Sequence, residues 1–149
     1  MDISPVCTAP QEQEISERLQ RLQTKMKRQG LDYYLCHDPA NIFYLTNFAN
    51  FVHERPFILL IPDSGRPTFL MPKLEEEHVR VRSVGEMEYL HYFEFPAPQK
   101  KQGSDRLLDV LDSSHTVGLE SSCPLNVMRA VPGDTAAVDL VEDLREIKS

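Results

Sequence analysis

Histidine is the residue type in this chain best suited to bind a metal or transfer a proton, and the sequence contains five. None stands in HxxEH or HxH spacing, so the sequence does not predict a zinc-protease helix. Glu75 and His78 form a single Glu-x-x-His, which is half of the motif that binds two metals in carboxylate bundles. Because this copy stands alone in an acidic run, we interpret it as a solvated helix face.

Nucleophiles and phosphate-binding loops are equally sparse. Ser121-Ser122-Cys123 has no base beside it in sequence, and the chain lacks a GxSxG elbow. A helix starting at Pro124 could lower the pKa of the Cys123 thiol, but we expect Ser122 or Cys123 to cap that helix instead. The six glycines are scattered singly, which excludes a Walker loop and a dinucleotide fingerprint. The spacing of the many carboxylates selects no catalytic pair, so the sequence shows no self-contained active site.

Length and composition indicate one soluble globular domain. The 149 residues are enough for a single core, and the net charge of −7 disfavours nucleic acid and anionic membranes as partners. The three cysteines are widely spaced and form no CxxC pair, a pattern typical of a reducing cytoplasm. The chain lacks a signal-peptide pattern and the apolar run of about 20 residues that a membrane span needs. We therefore expect a cytoplasmic protein.

The elements that would position any site alternate between strands and helices. A helix from Pro10 carries an apolar stripe that ends before Gly30, and Phe57–Ile61 is apolar on both faces, as in a central strand. A hairpin after Ile61 makes the sheet mixed, and the alternation predicts an α/β three-layer sandwich with helices on both faces. The other predicted strands are Leu31–Cys36, Pro67–Met71, Met87–Phe95, Thr116–Glu120 and Ala136–Val138.

Three helices carry more detailed predictions. In the helix from Pro72 to about Val84, we expect Leu74, His78 and Val81 to lie on one side. We expect Ser104 to cap the next helix, and the final helix to open at Asp139. The apolar residues expected on these last two helices are Leu107, Leu108, Leu111, Leu140, Leu144 and Ile147.

Four stretches together resemble the N-terminal domain of the creatinase, prolidase and aminopeptidase P family. They are Asp38–Phe48, Arg55–Phe57, Gly118–Glu120 and Leu144–Ser149, and they occur in the order that the family shows. The resemblance covers nearly the whole chain, from about Ile15. Asn47 stands where the family usually has glycine, a mild change because asparagine tolerates left-handed backbone geometry.

The resemblance implies that residues 10–149 are this N-terminal domain, preceded by a loose arm at residues 1–9. In the family a catalytic pita-bread domain follows and holds two divalent metal ions, such as manganese, which activate water to attack an Xaa-Pro amide. The matching region would lie beyond Ser149, so the resemblance assigns no catalytic residue and no metal ligand to this chain. It also implies a homodimer, in which a loop of this domain reaches the active-site mouth of the other subunit.

That loop would be Asn47–Arg55, and the resemblance makes Arg55, His53 and Phe51 candidates for binding substrate in the partner subunit. Arg55 matches an arginine that contacts a carboxylate substrate in creatinase-like relatives, and a planar guanidinium can bind a carboxylate with two hydrogen bonds. The alternative is structural: Phe48 and Phe51 would cover the edge of the core, and His53 and Arg55 would be solvent-facing rim residues.

Three functions remain open at this point. The first is the non-catalytic N-terminal domain of a cytoplasmic metallohydrolase that resembles Xaa-Pro aminopeptidases and dipeptidases, with proline-containing peptides as substrate. The second is the corresponding domain of a creatinase-like hydrolase of a small non-peptide C–N substrate. The third is a catalytically dead module that binds peptides or proteins. The metal ligands of the following domain would separate the enzymes from the binding module.

Overall fold

The computed structural model of the protein describes residues 12–49, 57–92 and 103–146. A 3₁₀ turn, Lys73–Glu75, leads directly into the third helix. None of the described helices has the length and apolar character needed to cross a membrane. The elements are, in chain order, α1 (Glu12–Arg28), β1 (Tyr33–Cys36), α2 (Pro39–Thr46), β2 (Ile58–Pro62), β3 (Thr68–Pro72), α3 (Glu76–Arg82), β4 (Glu88–Tyr92), α4 (Gly103–Val110), β5 (Thr116–Leu119), α5 (Leu125–Ala130), β6 (Asp134–Ala137) and α6 (Leu140–Glu146).

The described strands form one mixed sheet of six strands in the order β4-β3-β2-β1-β5-β6. β2 pairs antiparallel with β1 and β3, while β5 pairs parallel with β1 and β6, and β3 pairs parallel with β4. Leu35 in β1 lies opposite Leu60 on one side and Leu119 on the other. The predictions of a mixed sheet, of a hairpin after Ile61 and of a central strand at Phe57–Ile61 are confirmed.

Two hydrophobic clusters, one on each face of the sheet, make the structure a three-layer sandwich. The first includes residues of α1, α2, α3 and α6, and the second includes residues of α4 and α5. Neighbouring residues of β1 point to opposite clusters: Tyr34 belongs to the first and Leu35 to the second. The predicted arrangement, with helices on both faces, is confirmed.

Helix α1 follows its sequence pattern closely. Ile15, Leu22 and Met26 are buried, and Leu19 packs against the first cluster. Gly30 takes a left-handed φ of 70° just after the helix, a conformation that glycine adopts at helix C-termini without strain. The first turn is acidic and the last turn is basic, which complements the helix dipole.

The side predicted to carry Leu74, His78 and Val81 is the exposed side of this segment. Leu74 and Val81 are 77% and 73% exposed, and the buried residue is Val79. The chain enters α3 through the 3₁₀ turn, whose turns contain about three residues instead of 3.6, and this changes which side chains face the sheet. The helix itself has only seven residues, too few for its apolar pattern to fix its orientation.

Predictions for the later elements need smaller corrections. Leu107 and Leu111 are buried as expected, but Leu108 is 59% exposed, because it lies on the side of α4 away from the second cluster. Ser104 lies within the first turn of α4 and not before it. β4 ends at Tyr92, so the expected positions of Phe93 and Phe95 lie outside the described residues, as do Ile147 and the N-terminal arm.

Candidate functional site

Helix α2 forms most of the Asp38–Phe48 motif, and each end of the helix has a defined cap. Asp38 is the N-cap residue, and its Oδ1 accepts a hydrogen bond of 2.8 Å from Ala40 N. Asn47 is the C-cap residue, with a left-handed φ of 66° and its N–H bound to Phe43 O at 2.8 Å. Asparagine is thus tolerated at this position because it adopts the geometry that glycine would provide.

Glu120, directly after β5, is buried and accepts four hydrogen bonds. Its Oε1 accepts from the backbone N–H groups of His37 at 2.6 Å and Asp38 at 2.7 Å. Its Oε2 accepts from Asn41 Nδ2 at 2.5 Å and from Tyr34 Oη at 3.2 Å. Only 1% of the residue is exposed. One carboxyl group therefore connects the end of β5 to the end of β1 and to the first turn of α2.

Tyr34 extends this network to the last helix, because its hydroxyl also accepts a hydrogen bond of 3.2 Å from Leu140 N at the start of α6. Burial and the nearby Glu120 raise the pKa of the Tyr34 phenol far above its ordinary value, so the hydroxyl keeps its proton and can donate it to Glu120. Glu120 and Tyr34 together thus connect the ends of β1 and β5, the first turn of α2 and the start of α6.

Burial dominates the electrostatics of this network. It raises the pKa of the Glu120 carboxyl, and the hydrogen bonds donated by Asp38, His37, Asn41 and Tyr34 oppose that shift. Burial and the proximity of Glu120 also raise the pKa of the Cys36 thiol well above its usual value. Cys36 is therefore a protonated, buried residue, in agreement with its interpretation as a small core residue.

Gly118, the first residue of the Gly-Leu-Glu motif at Gly118–Glu120, lies where there is little room for a side chain. A Cβ atom at this position would lie 2.7 Å from Leu31 Cδ1 and 3.2 Å from Tyr34 Cδ1, closer than carbon atoms normally approach. Glycine therefore leaves room for the Tyr34 ring, and Leu119 fills the second cluster on the other face. The motif has a structural purpose, which is to place Tyr34 against Glu120.

Phe48 and Phe57, the residues that flank the segment 49–56, have neighbouring aromatic rings. Phe48 and Phe57 are both about 98% buried, and their ring centroids are 5.5 Å apart. Phe69 and His78 pack their rings edge-on against Phe48, with centroids 5.8 and 5.4 Å away. Phe48 therefore covers the core, as the structural alternative expected, and is not a ligand-facing residue.

Backbone contacts fix the point at which the chain leaves α2. The Thr46 hydroxyl donates to Ile42 O at 2.7 Å and accepts from Phe48 N at 3.1 Å. The Thr46 carbonyl accepts a hydrogen bond of 2.8 Å from Val84 N, in the connection between α3 and β4. Arg55, His53 and Phe51 lie outside the described residues, so their predicted role stays a prediction.

Neither of the other sequence candidates forms a reactive site. Cys123 is buried, and burial followed by the charge of Glu120 raises its thiol pKa to about 11. The prediction that Ser122 or Cys123 caps α5 is wrong: Pro124 is the N-cap residue and no side chain caps the helix. The proline itself supplies the extended backbone that precedes a helix, and the Cys123 side chain packs into the second cluster.

Glu75 and His78 form a single contact, with 3.4 Å between Oε1 and Nδ1. The His78 side chain is 51% exposed. The part of the chain that the structure describes contains no cluster of three or more His, Cys, Asp or Glu side chains able to hold a metal. The interpretation of Glu75 and His78 as part of a solvated helix face agrees with this geometry.

A groove of about 450 Å³ lies elsewhere, between α1, the end of α2, the turn before β3 and the connection after α3. Gln23 lies at this groove and donates hydrogen bonds to Pro62 O at 3.0 Å and to Gly65 O at 3.1 Å. These bonds hold the hairpin turn against α1. Neither Glu120 nor Phe48 lines the groove, so it is separate from the network described above.

Comparisons with known proteins assign these features to a family. The family model described as "Creatinase/Prolidase N-terminal domain" matches residues 18–147. Two relatives each align over 135 residues, covering 89% of this chain and 37% of their own length: an uncharacterized peptidase of Staphylococcus aureus, 30% identical, and one of Staphylococcus epidermidis, 27% identical. The chain thus spans about 37% of the length of these relatives.

Solved structures show the same fold. A prolidase from Pyrococcus horikoshii matches with a TM-score of 0.70 and 19% identity, over 89% of this chain and 36% of that one. A proline dipeptidase chain from Streptococcus pneumoniae matches with a TM-score of 0.74 and 21% identity, over 87% of this chain and 98% of that one. The fold thus occurs both as part of a longer chain and as nearly the whole of a solved chain.

Proposed function

Because this chain belongs to the creatinase/prolidase N-terminal domain family, we propose that it is the non-catalytic N-terminal domain of a metal-dependent Xaa-Pro peptidase of the prolidase or aminopeptidase P type. In this proposal it takes part in a homodimer and contributes to the substrate site of the partner subunit. The catalytic residues and two divalent metal ions, such as manganese, belong to a following catalytic domain. The family match over residues 18–147 and the relatives named peptidases carry the proposal.

The contacts at the base of the segment 49–56 support a role for it in substrate binding. Phe48 and Phe57, which flank the segment, are buried side by side in the core, so the chain is anchored before and after it. Arg55 is two residues from the buried Phe57, and we propose that its guanidinium binds the substrate carboxylate, with His53 and Phe51 beside it.

The compartment proposed for this enzyme is the cytoplasm. Cys36 and Cys123 are both free and buried, as in a protein that does not depend on disulfide bonds.

The names of the relatives also favour a peptidase over a creatinase-like hydrolase of small amidino compounds.

The test compares the 149-residue chain with a longer protein that carries this domain followed by its catalytic domain. Both are incubated with Mn²⁺ and either an Xaa-Pro dipeptide or an Xaa-Pro-Xaa tripeptide. We expect metal-dependent hydrolysis by the longer protein and no turnover above buffer by the 149-residue chain.

Three other results would contradict the proposal. Hydrolysis by the isolated chain would place catalysis within it and would direct attention to Glu75 and His78. Turnover of small amidino compounds, but not of peptides, would favour the creatinase-like alternative. Tight peptide binding by the longer protein without any hydrolysis would make the domain part of a binding module.

A further inference from the structure

Helix α2 is held by different groups at its two ends. Its first turn is bound to Glu120 through His37 N, Asp38 N and Asn41 Nδ2. At its other end, Thr46 binds Val84 N and Phe48 N. The helix has eight residues and is therefore about 12 Å long, so the two sets of contacts are one short rigid element apart.

Between these ends, buried side chains keep the helix on the sheet, and one hydrogen bond of 2.7 Å from Arg18 Nη1 to Tyr44 O ties it to α1. Ile42 and Leu45 are buried in the first cluster and keep α2 against the sheet. Hydrophobic burial is not directional, so these contacts tolerate a small rotation or shift along the helix axis. Hydrogen bonds are directional, and the three short bonds to one buried carboxyl group, all between 2.5 and 2.7 Å, restrict both movements.

We propose that Glu120 is a positioning residue that, through α2, fixes the place of Thr46, Asn47 and Phe48. These residues form the point from which the proposed substrate-binding segment departs, so this inference rests on the proposed function. Glu120 itself does not touch substrate. Loss of its hydrogen bonds displaces the start of the segment, and in an enzyme a displacement of about 1 Å can lower the rate by up to 100-fold.

Hydrogen exchange of backbone amides tests the structural part of this inference in the 149-residue chain. In Glu120→Gln, we expect protection of the Asn47, Phe48 and Val84 amides to fall at least tenfold. The Asn47 and Phe48 amides lie at the far end of α2 and bind Phe43 O and Thr46 Oγ1, and the Val84 amide binds Thr46 O from the connection after α3. The control is Val127→Ala, which removes buried atoms from the second cluster on the opposite face. Equal changes in the two variants would overturn the inference.

A second variant keeps the test decisive if Glu120→Gln does not fold. Asn41→Ala removes one of the four donors and leaves the Glu120 carboxyl in place. We expect it to change the protection of Asn47, Phe48 and Val84 in the same direction by a smaller factor. If the amides of Asn47 and Phe48 keep their full protection in Asn41→Ala, the position of α2 does not depend on this network.

Kinetics of the longer peptidase separate the inference from the function on which it rests. If Glu120 acts through the segment, Glu120→Gln lowers kcat/KM severalfold in the wild-type background but much less in an Arg55→Ala background. Independent, additive effects would refute the positioning role while leaving the proposed role of Arg55 intact. If Arg55→Ala alone changes nothing, the proposed segment function fails, and the exchange experiment still decides whether Glu120 positions α2.

Discussion

Replacing Glu120 by alanine is the perturbation whose cost follows most directly from the structure. The substitution leaves four donors without their acceptor: the N–H groups of His37 and Asp38, the Asn41 amide and the Tyr34 hydroxyl. His37 and Asp38 are only partly buried, so water can reach their N–H groups after the change. Asn41 and Tyr34 are at most 1% exposed, and their donors have no such replacement.

The magnitude comes mainly from these two buried donors. An unsatisfied buried donor costs about 1–3 kcal/mol, so Asn41 and Tyr34 together give roughly 2–6 kcal/mol. Removal of a buried carboxyl group returns part of this, because its burial is itself unfavourable. We expect Glu120→Ala to lower the free energy of unfolding by about 3 kcal/mol. A domain of this size is stable by roughly 5–15 kcal/mol, so the variant should still fold.

Urea unfolding followed by circular dichroism measures this loss. The matched control is Glu77→Ala on the exposed surface of α3, for which we expect a change within about 0.5 kcal/mol. A loss below about 1 kcal/mol in Glu120→Ala, with an unchanged urea dependence, would show that the four hydrogen bonds do not hold the three segments together.

Three further predictions use the same stability assay. Leu59→Ala should cost about 2–5 kcal/mol, because Leu59 is fully buried in β2; a loss below about 0.5 kcal/mol would contradict a central strand. Gly118→Ala should cost about 1–3 kcal/mol, because the new Cβ would overlap Leu31 and crowd Tyr34; an unchanged stability would mean that these side chains move freely. The stability of the wild type relative to Glu120→Gln should fall as the pH rises above about 4.3. Above this pH the unfolded Glu120 loses its proton, while the folded carboxyl, whose pKa is raised, still holds it. A rise in this relative stability over the same range would contradict the direction of the pKa shift.

The elements with a strong local pattern could be predicted from the sequence. Helix α1 shows its apolar residues at helical spacing over about three turns, and the unbroken apolar run Phe57–Ile61 indicates a strand covered on both faces. The left-handed conformation at Asn47 also follows from the residue type and its place after α2. In each case neighbouring residues determine the outcome.

Features that depend on distant contacts could not be predicted. The orientation of α3 is one of these features: after the 3₁₀ turn, Val79 faces the core while Leu74 and Val81 are exposed. Asn41 and Glu120 are 79 residues apart, and nothing in their spacing shows that they form a hydrogen bond. The sequence contained one relevant signal, a glutamate directly after a short buried strand, where the fold has no room for an unpaired charge.

Kinetics of Arg55→Ala in the longer, dimeric peptidase that we propose test the central claim, that this domain contributes to the partner subunit's substrate site. A charge-assisted hydrogen bond is worth about 1.5–3 kcal/mol, so we predict that kcat/KM for an Xaa-Pro dipeptide falls by roughly one to two orders of magnitude. Arg55→Lys should recover only part of this loss, because lysine cannot form two parallel hydrogen bonds. The control is Arg129→Ala, at an exposed position of α5 on the face of the sheet opposite α2, which should leave kcat/KM unchanged. Wild-type kinetics in Arg55→Ala, with the dimer intact, would contradict the claim.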